Sequence, residues 1–208
     1  MNNILYIFIS HQNNINNIYD RINNMMDSHN NTNYIVVKGG DISNNYNPDS
    51  KTLSINCNDK YEGLPEKVLK TYKYIVDSSN FDEYSHFIKL DDDMVIKKLI
   101  EYNDIKELNY GGVIHNSEGD RRWHIGRCSP TSYFNNNKYS GIYVTWSKGG
   151  YGYIISRNAM NLIKNDSTYK NVIYEDLYIA ILLKNNNISP IDIKNWKYFF
   201  VKIGRAHV

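Results

Sequence analysis

The chain has 208 residues, which is enough for one ordinary domain with a buried core. Lys and Arg total 24 and Asp and Glu total 22, so the net charge of +2 excludes both an acidic tail protein and a protein that binds nucleic acid by bulk positive charge. A hydrophobic content of 41%, with 13% aromatic residues, excludes a disordered chain.

Strand and helix patterns alternate along the first half of the chain. Apolar runs predict strands over 2–10, 34–37, 53–56 and 86–90, with 94–96 continuing extended. Apolar residues at helical spacing predict helices over 13–28 and 63–79, and later over 159–163 and from 175. The centre of the chain is predicted to be long and irregular. This alternation favours an α/β fold whose sheet has at least a parallel core.

Location signals indicate a cytoplasmic protein. No stretch approaches the roughly 20 apolar residues of a membrane helix. The apolar run 4–9 is short and lacks a basic flank, so it predicts a buried strand rather than a signal peptide. Cys57 and Cys128 are too few for a disulfide framework or a four-thiolate zinc site, which leaves one bridge or, as a cytoplasmic location favours, two reduced thiols.

The composition and the C-terminus both bear on the boundaries of the domain. Asn, Ile, Lys and Tyr are over-represented, which is typical of an AT-rich genome such as that of a large DNA virus or a protist. The last six residues resemble the translation of a sequencing adapter. We therefore interpret 1–202 as a single domain, truncated at its C-terminus, and 203–208 as a non-native tail.

Three acidic residues follow the predicted strand 86–90. Asp91, Asp92 and Asp93 are costly to place together unless a cation neutralises them, and carboxylates are the hard oxygen ligands that Mg²⁺ and Mn²⁺ prefer. Alternation along the chain directs Asp91 and Asp93 to one site, while Asp92 turns to the backbone or a helix terminus. An acidic turn without a ligand is the alternative.

Two later segments carry further candidates. Gly149, Gly150 and Gly152 allow the backbone to approach a ligand closely, or make a tight turn between a strand and a helix. Glu175 and Asp176 open a strongly apolar helix, either as ordinary acidic residues of the first turn or with one of them held as a general base.

In their order and spacing, these segments resemble the β-1,3-galactosyltransferase and Fringe-type family, glycosyltransferase family 31. The family's Lys-Thr-Asp-Asp-Asp-Val strand is similar to 89–94, and its Gly-Gly-Gly-Tyr-Val-Leu-Ser segment is similar to 149–156. Its Glu-Asp-Val-Tyr-Val-Gly helix start is similar to 175–180, and its Asp-x-Tyr-x-x-Leu-x-x-Lys helix to 59–67. The resemblance covers roughly 55–195. It implies a GT-A fold, which is a nucleotide-sugar-binding α/β sandwich with a mixed, mainly parallel central sheet.

The resemblance also implies an activity. Family members are metal-dependent and invert the anomeric centre, so we expect transfer of a hexose from a UDP-sugar to a hydroxyl of a glycan or glycoprotein. Asp93 and Asp91 are then the ligands of Mn²⁺ or Mg²⁺, and Asp176 is the base that takes the acceptor proton. The implied donor-binding residues are Asp91, Asp92, Lys89, Lys67, Gly149 and Gly150. Trp146, Trp123 and Glu175 are the acceptor candidates, with a plain surface loop as the alternative for 121–128.

The chain differs from the family pattern in four ways. A membrane anchor is missing from the sequence, the Arg-rich first helix is reduced to Arg21, and Ala180 stands where Gly is usual. The family's late metal-binding His corresponds only to His207, inside the suspected tail. Truncation of a native His, substitution by His115 or His124, or water in that position are the open alternatives.

Two other functions remain as alternatives to this transferase. A non-catalytic descendant of the fold would bind nucleotide or glycan without turnover. A metal enzyme acting on phosphate esters would clamp two Mg²⁺ ions with the aspartates and release phosphate without an acceptor. The sequence names neither the donor sugar nor the acceptor.

Overall fold

A computed structural model describes residues 3–203 of the chain. The strands are β1 (Ile4–Ile9), β2 (Tyr34–Lys38), β3 (Asn45–Asn47), β4 (Thr52–Ser54), β5 (His86–Asp91), β6 (Met94–Ile96), β7 (Tyr110–Gly112), β8 (Ile114–His115), β9 (Trp146–Ser147), β10 (Tyr153–Ser156), β11 (Ile191–Asp192) and β12 (Phe200–Lys202). The helices are α1 (Ile15–Ser28), α2 (Leu64–Asp77), α3 (Tyr102–Ile105), α4 (Arg157–Ile163), α5 (Glu175–Asn185) and α6 (Trp196–Phe199).

Eight strands form a central sheet in the order β11-β7-β10-β5-β1-β2-β4-β3. β1 pairs in parallel with β2 and β5, β2 pairs in parallel with β4, and β7 pairs in parallel with β11. Only β10 and β3 run antiparallel to their neighbours in this sheet. The predicted α/β fold, with a mixed and mainly parallel central sheet, is confirmed by this topology.

Helices cover both faces of the sheet. Leu5 and Ile7 of β1 pack into a core with α2, α4 and α5, whereas Tyr6 and Phe8 pack into a second core with α1, α6 and β12. Strands that are buried on both faces have continuous apolar runs in the sequence. That is why β1, β2 and β5 could be recognised in the sequence.

The long helices begin and pack as their apolar stripes predict. Ile22 and Met26 of α1 are fully buried against the sheet. α2 has Pro65 in its first turn, where a missing N–H costs no hydrogen bond, and it buries Tyr72 and Ile75. The predicted helices 13–28 and 63–79 thus differ from the observed ones only at their ends.

Most of the short elements were not predicted, although β4 and β6 lie in segments predicted to be extended. The strand expected over 2–10 is Ile4–Ile9, with Asn2 outside the described residues, and the irregular centre is confirmed for 116–145. The prediction missed β3, β7, β8, β9, β11 and β12, because two or three residues show no measurable periodicity.

Three other predictions from the sequence can be compared with the fold. Cys57 and Cys128 are free thiols. Most of the suspected tail, 204–208, lies outside the described residues, so its origin stays a prediction. None of the helices between residues 3 and 203 has the length and hydrophobicity that crossing a bilayer requires.

The topology brings separate parts of the chain to one edge of the sheet. β1, β2, β4 and β5 run in the same direction, so the segments that follow them meet at the edge formed by their carboxyl ends. β10 runs the opposite way, and its register pairs Tyr153 with Lys89. The glycine-rich turn that precedes β10 therefore returns to the edge where Asp91 ends β5.

Candidate active site

The last residues of β5 divide between the two faces of the sheet. Phe87 belongs to the core under α2 and α5, whereas Ile88 and Leu90 belong to the core under α1. Because side chains alternate along a strand, Lys89 and Asp91 point to the α5 side. The start of α5 lies on that side of the sheet.

Lys89 joins the three motifs found in the sequence. Its fully buried ammonium donates to Asp91 Oδ1 at 2.7 Å, to Glu175 Oε2 at 3.3 Å and to the Gly149 carbonyl at 3.4 Å. Burial disfavours the charged ammonium, but Asp91 and Glu175 outweigh it and hold the pKa of Lys89 above its ordinary value. The charged lysine ties the strand end, the glycine-rich turn and the helix start together.

Gly149 and Asp176 form a second direct link between two of the motifs. The Gly149 N–H donates to Asp176 Oδ2 at 2.8 Å. A Cβ at position 149 would lie 2.8 Å from Glu175 Oε2 and 2.9 Å from the Asp176 Cβ, which is closer than real side chains pack. A glycine is therefore required here for the turn to approach α5.

Glu175 points into the interior. Its Oε1 accepts a hydrogen bond of 2.5 Å from the Tyr153 hydroxyl, which lies 2.6 Å from the hydroxyl of Tyr72. Burial raises the pKa of Glu175, while Lys89 acts in the opposite direction. Both carboxylate oxygens are occupied by protein groups, so the predicted acceptor role of Glu175 finds no open surface at this residue.

Asp176 is more open than Glu175. The residue is partly exposed, and its Oδ1 accepts from the Leu177 N–H at 2.8 Å while Oδ2 accepts from Gly149. Burial raises the pKa of Asp176, the two backbone N–H groups and Lys89 lower it, and Asp91 adds to the rise. Asp91 is therefore within electrostatic reach of Asp176.

Asp92 and Asp93 occupy the turn after β5 and have different surroundings. Asp92 Oδ2 accepts from the Ser10 hydroxyl at 2.8 Å, and the Asp92 N–H donates to the Ile9 carbonyl at 3.1 Å. The Asp92 side chain thus turns toward the side chain of Ser10 at the end of β1, rather than to the backbone or a helix terminus as expected. Both Asp93 carboxylate oxygens are buried, and Oδ2 forms an ion pair with the Lys202 ammonium. Burial raises the pKa of Asp93, and Lys202 opposes the rise.

Lys202 lies beside the two aspartates that were predicted to share a site. Its ammonium is 3.2 Å from Asp93 Oδ2 and 3.8 Å from Asp91 Oδ2. The single cationic group near both carboxylates shows that Asp91 and Asp93 face the same space.

Lys67 is buried below the segments that follow β1 and β2, with 3% of the residue exposed. Its ammonium pairs with Asp59 Oδ1 and donates to the Ser10 carbonyl at 2.9 Å. Asp59 also accepts from the N–H groups of Gly39 and Gln12, at 2.9 and 2.7 Å. Any contribution of Lys67 to donor binding therefore acts through the position of these loops.

The two candidate acceptor tryptophans have different environments. Trp123 is 55% exposed, and the Arg127 guanidinium lies 4.0 Å above its ring. Trp146 is only 8% exposed and packs against His115 and Tyr143. Trp123 thus offers surface to a sugar, whereas stacking on Trp146 would require a change in its surroundings.

The irregular centre reaches the start of α5, since the Tyr174 hydroxyl donates to the Asp120 carbonyl at 2.8 Å. Burial raises the pKa of Tyr61, the Asp176 carboxylate adds to the rise, and the Arg127 guanidinium opposes it. Tyr61 is thus within electrostatic reach of both charges. The loop that carries Trp123 and Arg127 also contacts Tyr174, which directly precedes α5.

The two histidines considered as substitute metal ligands lie in other environments. The ring nitrogens of His124 are 2.9 Å from the Tyr174 hydroxyl and 2.9 Å from the Asn137 carbonyl, inside the irregular centre. His115 bonds to Ser117 and packs on Trp146. Between residues 3 and 203, no three His, Cys, Asp or Glu side chains form a metal-binding group.

A polar groove of about 570 Å³ lies elsewhere, between α1 and the β3–β4 edge of the sheet. Tyr19, Asp20, Lys38 and Ser54 are among the residues that line it. The acidic turn, residues 91–93, and the glycine-rich turn, residues 149–152, do not contribute to this lining. The chemistry-bearing residues thus lie outside this groove.

Sequence reasoning did not identify several residues of the site. Tyr72, Tyr153 and Ser10 are ordinary residues of apolar segments, and only the fold brings their hydroxyls to the acidic residues. Lys202 follows an aromatic run near the C-terminus and matches no motif. No local signal in the sequence could have drawn attention to it.

A model of the galactosyltransferase family matches residues 49–194, well over half of the chain. The chain belongs to the galactosyltransferase family. The matched range contains the acidic turn, the glycine-rich turn and the start of α5, which are the parts that the fold brings together. Family membership supports glycosyl transfer, with a nucleotide sugar as donor and a glycan as acceptor.

Three solved structures are similar in outline. A glycosyltransferase involved in the glycosylation of the major capsid of PBCV-1 is 10% identical with a TM-score of 0.49, covering 98% of this chain and 96% of that one. A putative glucose-1-phosphate thymidylyltransferase from Bacillus anthracis is 10% identical with a TM-score of 0.48, covering 96% and 89%. A197 from STIV is 12% identical with a TM-score of 0.48, covering 91% and 81%. A search of curated proteins finds no significant match.

Proposed function

We propose that this chain transfers a hexose from a UDP-sugar to a hydroxyl of a glycan or glycoprotein acceptor, with inversion and with a divalent metal ion, as a β-1,3-galactosyltransferase-like enzyme. One observation supports this proposal above the others. The acidic turn, the glycine-rich turn and the start of α5 meet at one edge of the sheet, joined by Lys89 and by the hydrogen bond from Gly149 to Asp176.

The acidic turn has the donor atoms that Mn²⁺ or Mg²⁺ requires from a protein. Asp93 has two buried carboxylate oxygens, and its Oδ2 shares the Lys202 ammonium with Asp91 Oδ2, so the two carboxylates face the same space. Carboxylates suit hard divalent cations, and the diphosphate and water can supply the remaining ligands. Asp93 and Asp91 would hold the ion, which when bound stabilises the negative charge of the leaving diphosphate.

Asp176 is the better candidate for the general base. Glu175 is buried and both of its oxygens interact with protein groups, whereas Asp176 is partly exposed. The two backbone hydrogen bonds to Asp176 orient its carboxylate, and each oxygen keeps a second lone pair. A carboxylate within hydrogen-bond reach of the acceptor hydroxyl can take its proton as that oxygen attacks the sugar.

The remaining predicted donor residues support the site in different ways. Lys89 is enclosed and holds Asp91 and the glycine-rich turn in place. Asp92 fixes the end of β1 through Ser10. Gly150 has open space, since a Cβ there would approach only Lys202 Nζ at 3.6 Å and Asp91 Oδ2 at 3.9 Å. Gly150 therefore leaves room for the donor beside the acidic residues.

A single displacement follows from this arrangement. The leaving diphosphate would lie at the Asp91 and Asp93 side, and the acceptor hydroxyl at the Asp176 side. Attack from the side opposite the leaving group inverts the anomeric carbon and needs no nucleophile from the protein.

The decisive experiment measures UDP release across a panel of UDP-sugars with Mn²⁺ and glycan or glycopeptide acceptors, together with UDP binding. We expect Asp93→Ala to lose metal-dependent UDP binding and transfer. We expect Asp176→Asn to keep UDP binding and to lose about 10²- to 10⁴-fold in transfer. Asp104→Asn, an exposed acid on α3, is the matched control and should behave like the wild type.

Other results of the same experiment would identify a different function. Transfer by Asp176→Asn at the parental rate would contradict the base assignment. Binding of UDP without turnover of any donor would favour the non-catalytic descendant. Release of inorganic phosphate from nucleotides without an acceptor would favour the phosphate-ester enzyme.

A further inference from the structure

Backbone pairing, rather than a flexible side chain alone, brings Lys202 to the acidic turn. β12 pairs antiparallel with β6, the strand that follows the turn, with Lys202 opposite Met94. The Ile203 N–H donates to the Asp93 carbonyl at 3.0 Å. The final strand is thus in register with the acidic turn, and Lys202 is the residue of that strand that reaches it.

The Lys202 ammonium lies among three groups of the proposed donor site. It is 3.2 Å from Asp93 Oδ2, 3.8 Å from Asp91 Oδ2, and it donates to the Gly150 carbonyl at 3.3 Å. These are the two carboxylates proposed to hold the metal ion and the turn proposed to border the donor. The ammonium therefore occupies space that a cation bound to both carboxylates would need.

The side chain has the freedom to leave that position. The Lys202 side chain is 29% exposed, in contrast to that of Lys89, which also pairs with Asp91 but is enclosed. A lysine has a flexible four-carbon stem and three rotatable donors, so its ammonium can exchange one anionic partner for another. A diphosphate placed beside Asp91, Asp93 and Gly150 would offer such a partner.

We propose that Lys202 has two states in the donor site: it neutralises Asp91 and Asp93 when the site is empty, and it binds the diphosphate of the donor when a divalent cation takes its place. This inference rests on the proposed function and extends it. The ammonium competes with the metal for the carboxylates, and it then cooperates with the metal in holding the nucleotide. A free divalent cation consequently binds weakly, and the nucleotide and the cation bind better together.

The proposal predicts opposite effects of one substitution on two ligands. Lys202→Met removes the charge and keeps much of the side-chain volume. Mn²⁺ alone, measured by electron paramagnetic resonance without nucleotide, should bind several-fold more tightly to the variant. UDP in the presence of saturating Mn²⁺, measured by calorimetry, should bind roughly tenfold to a hundredfold more weakly, as for the loss of a charge-assisted hydrogen bond.

Two further variants complete the test. Lys202→Arg keeps the charge and should retain UDP binding more closely than Lys202→Met does. Lys98→Met removes an exposed lysine elsewhere and should change neither affinity. Melting temperatures of all variants show whether the fold is kept. If Lys202→Met is destabilised, Lys202→Gln, which also removes the charge, takes its place with the same expected results.

Unchanged or weaker Mn²⁺ binding in Lys202→Met would overturn the competition, and unchanged UDP binding would overturn the phosphate contact. The Mn²⁺ measurement contains no nucleotide, so it tests Lys202 independently of the transferase proposal. If the wild type binds Mn²⁺ but no UDP, the proposed function fails. In that case the Mn²⁺ affinities of the wild type and Lys202→Met still test the competition between Lys202 and the metal.

Discussion

The N–H of Gly149 donates a 2.8 Å hydrogen bond to Asp176 Oδ2, joining the glycine-rich turn to the first turn of α5. The same glycine presents its carbonyl to Lys89, whose ammonium also binds Asp91. One residue thus orients the proposed base and touches the group that holds the acidic strand end. A small shift of this turn should therefore change the positions of both Asp176 and Asp91.

The two neighbouring glycines of this turn should tolerate alanine differently. A Cβ at Gly149 would lie 2.8 Å from Glu175 Oε2 and 2.9 Å from the Asp176 Cβ, whereas a Cβ at Gly150 meets only ordinary contacts. We expect Gly149→Ala to cost about 1–3 kcal/mol of unfolding free energy and to impair transfer strongly. Gly150→Ala should unfold like the wild type. Equal denaturation midpoints for the two variants would contradict this account of the turn.

The pH dependence of transfer should report the raised pKa of Asp176. A base must be ionised, so activity is present above its pKa and is lost as the pH falls through it. Burial moves that pKa above the ordinary 3.8, so the acid limb of kcat/KM should lie above that value. UDP release measured across pH checks this, with UDP binding at each pH as the control for Asp93, whose pKa burial also raises. An acid limb at or below pH 3.8 would contradict it.

The hydroxyl of Tyr153 should contribute to stability because it bridges two buried groups. Tyr153→Phe removes a hydrogen bond from Glu175 Oε1 and leaves the Tyr72 hydroxyl without this partner. A buried polar group left unpaired costs about 1–3 kcal/mol, so the unfolding free energy should fall by that amount. Tyr133→Phe, at an exposed tyrosine, is the control and should have no effect. A stability equal to that of the control would show that the bridge contributes nothing.

The sequence predicted those parts of the site that have a local signature. Asp91 and Asp93 follow a long apolar strand, and Asp176 opens an apolar helix, so their positions at element ends could be read from the pattern. Their meeting could be inferred only from the family resemblance. The structure supplies the physical cause, which is the antiparallel course of β10 that returns Gly149 to the end of β5.

Other features depend on contacts between distant parts of the chain. Lys67 was predicted as a donor ligand, but its burial beneath the β1 loop and its pairing with Asp59 follow from the packing of α2. Lys202 reaches the acidic turn because β12 pairs with β6, and a three-residue strand after an aromatic run carries no such information. Burial of Trp146 likewise depends on its neighbours His115 and Tyr143.

A crystal structure with Mn²⁺ and an unreactive UDP-sugar analogue tests the central claim most directly, since it locates the cation and the sugar independently of turnover. We predict the anomalous signal of manganese beside Asp93 and Asp91, and the anomeric carbon between that ion and the carboxylate of Asp176. A cation or sugar bound on another surface of the molecule, away from Asp176, would contradict the assignment of these carboxylates to one transfer site.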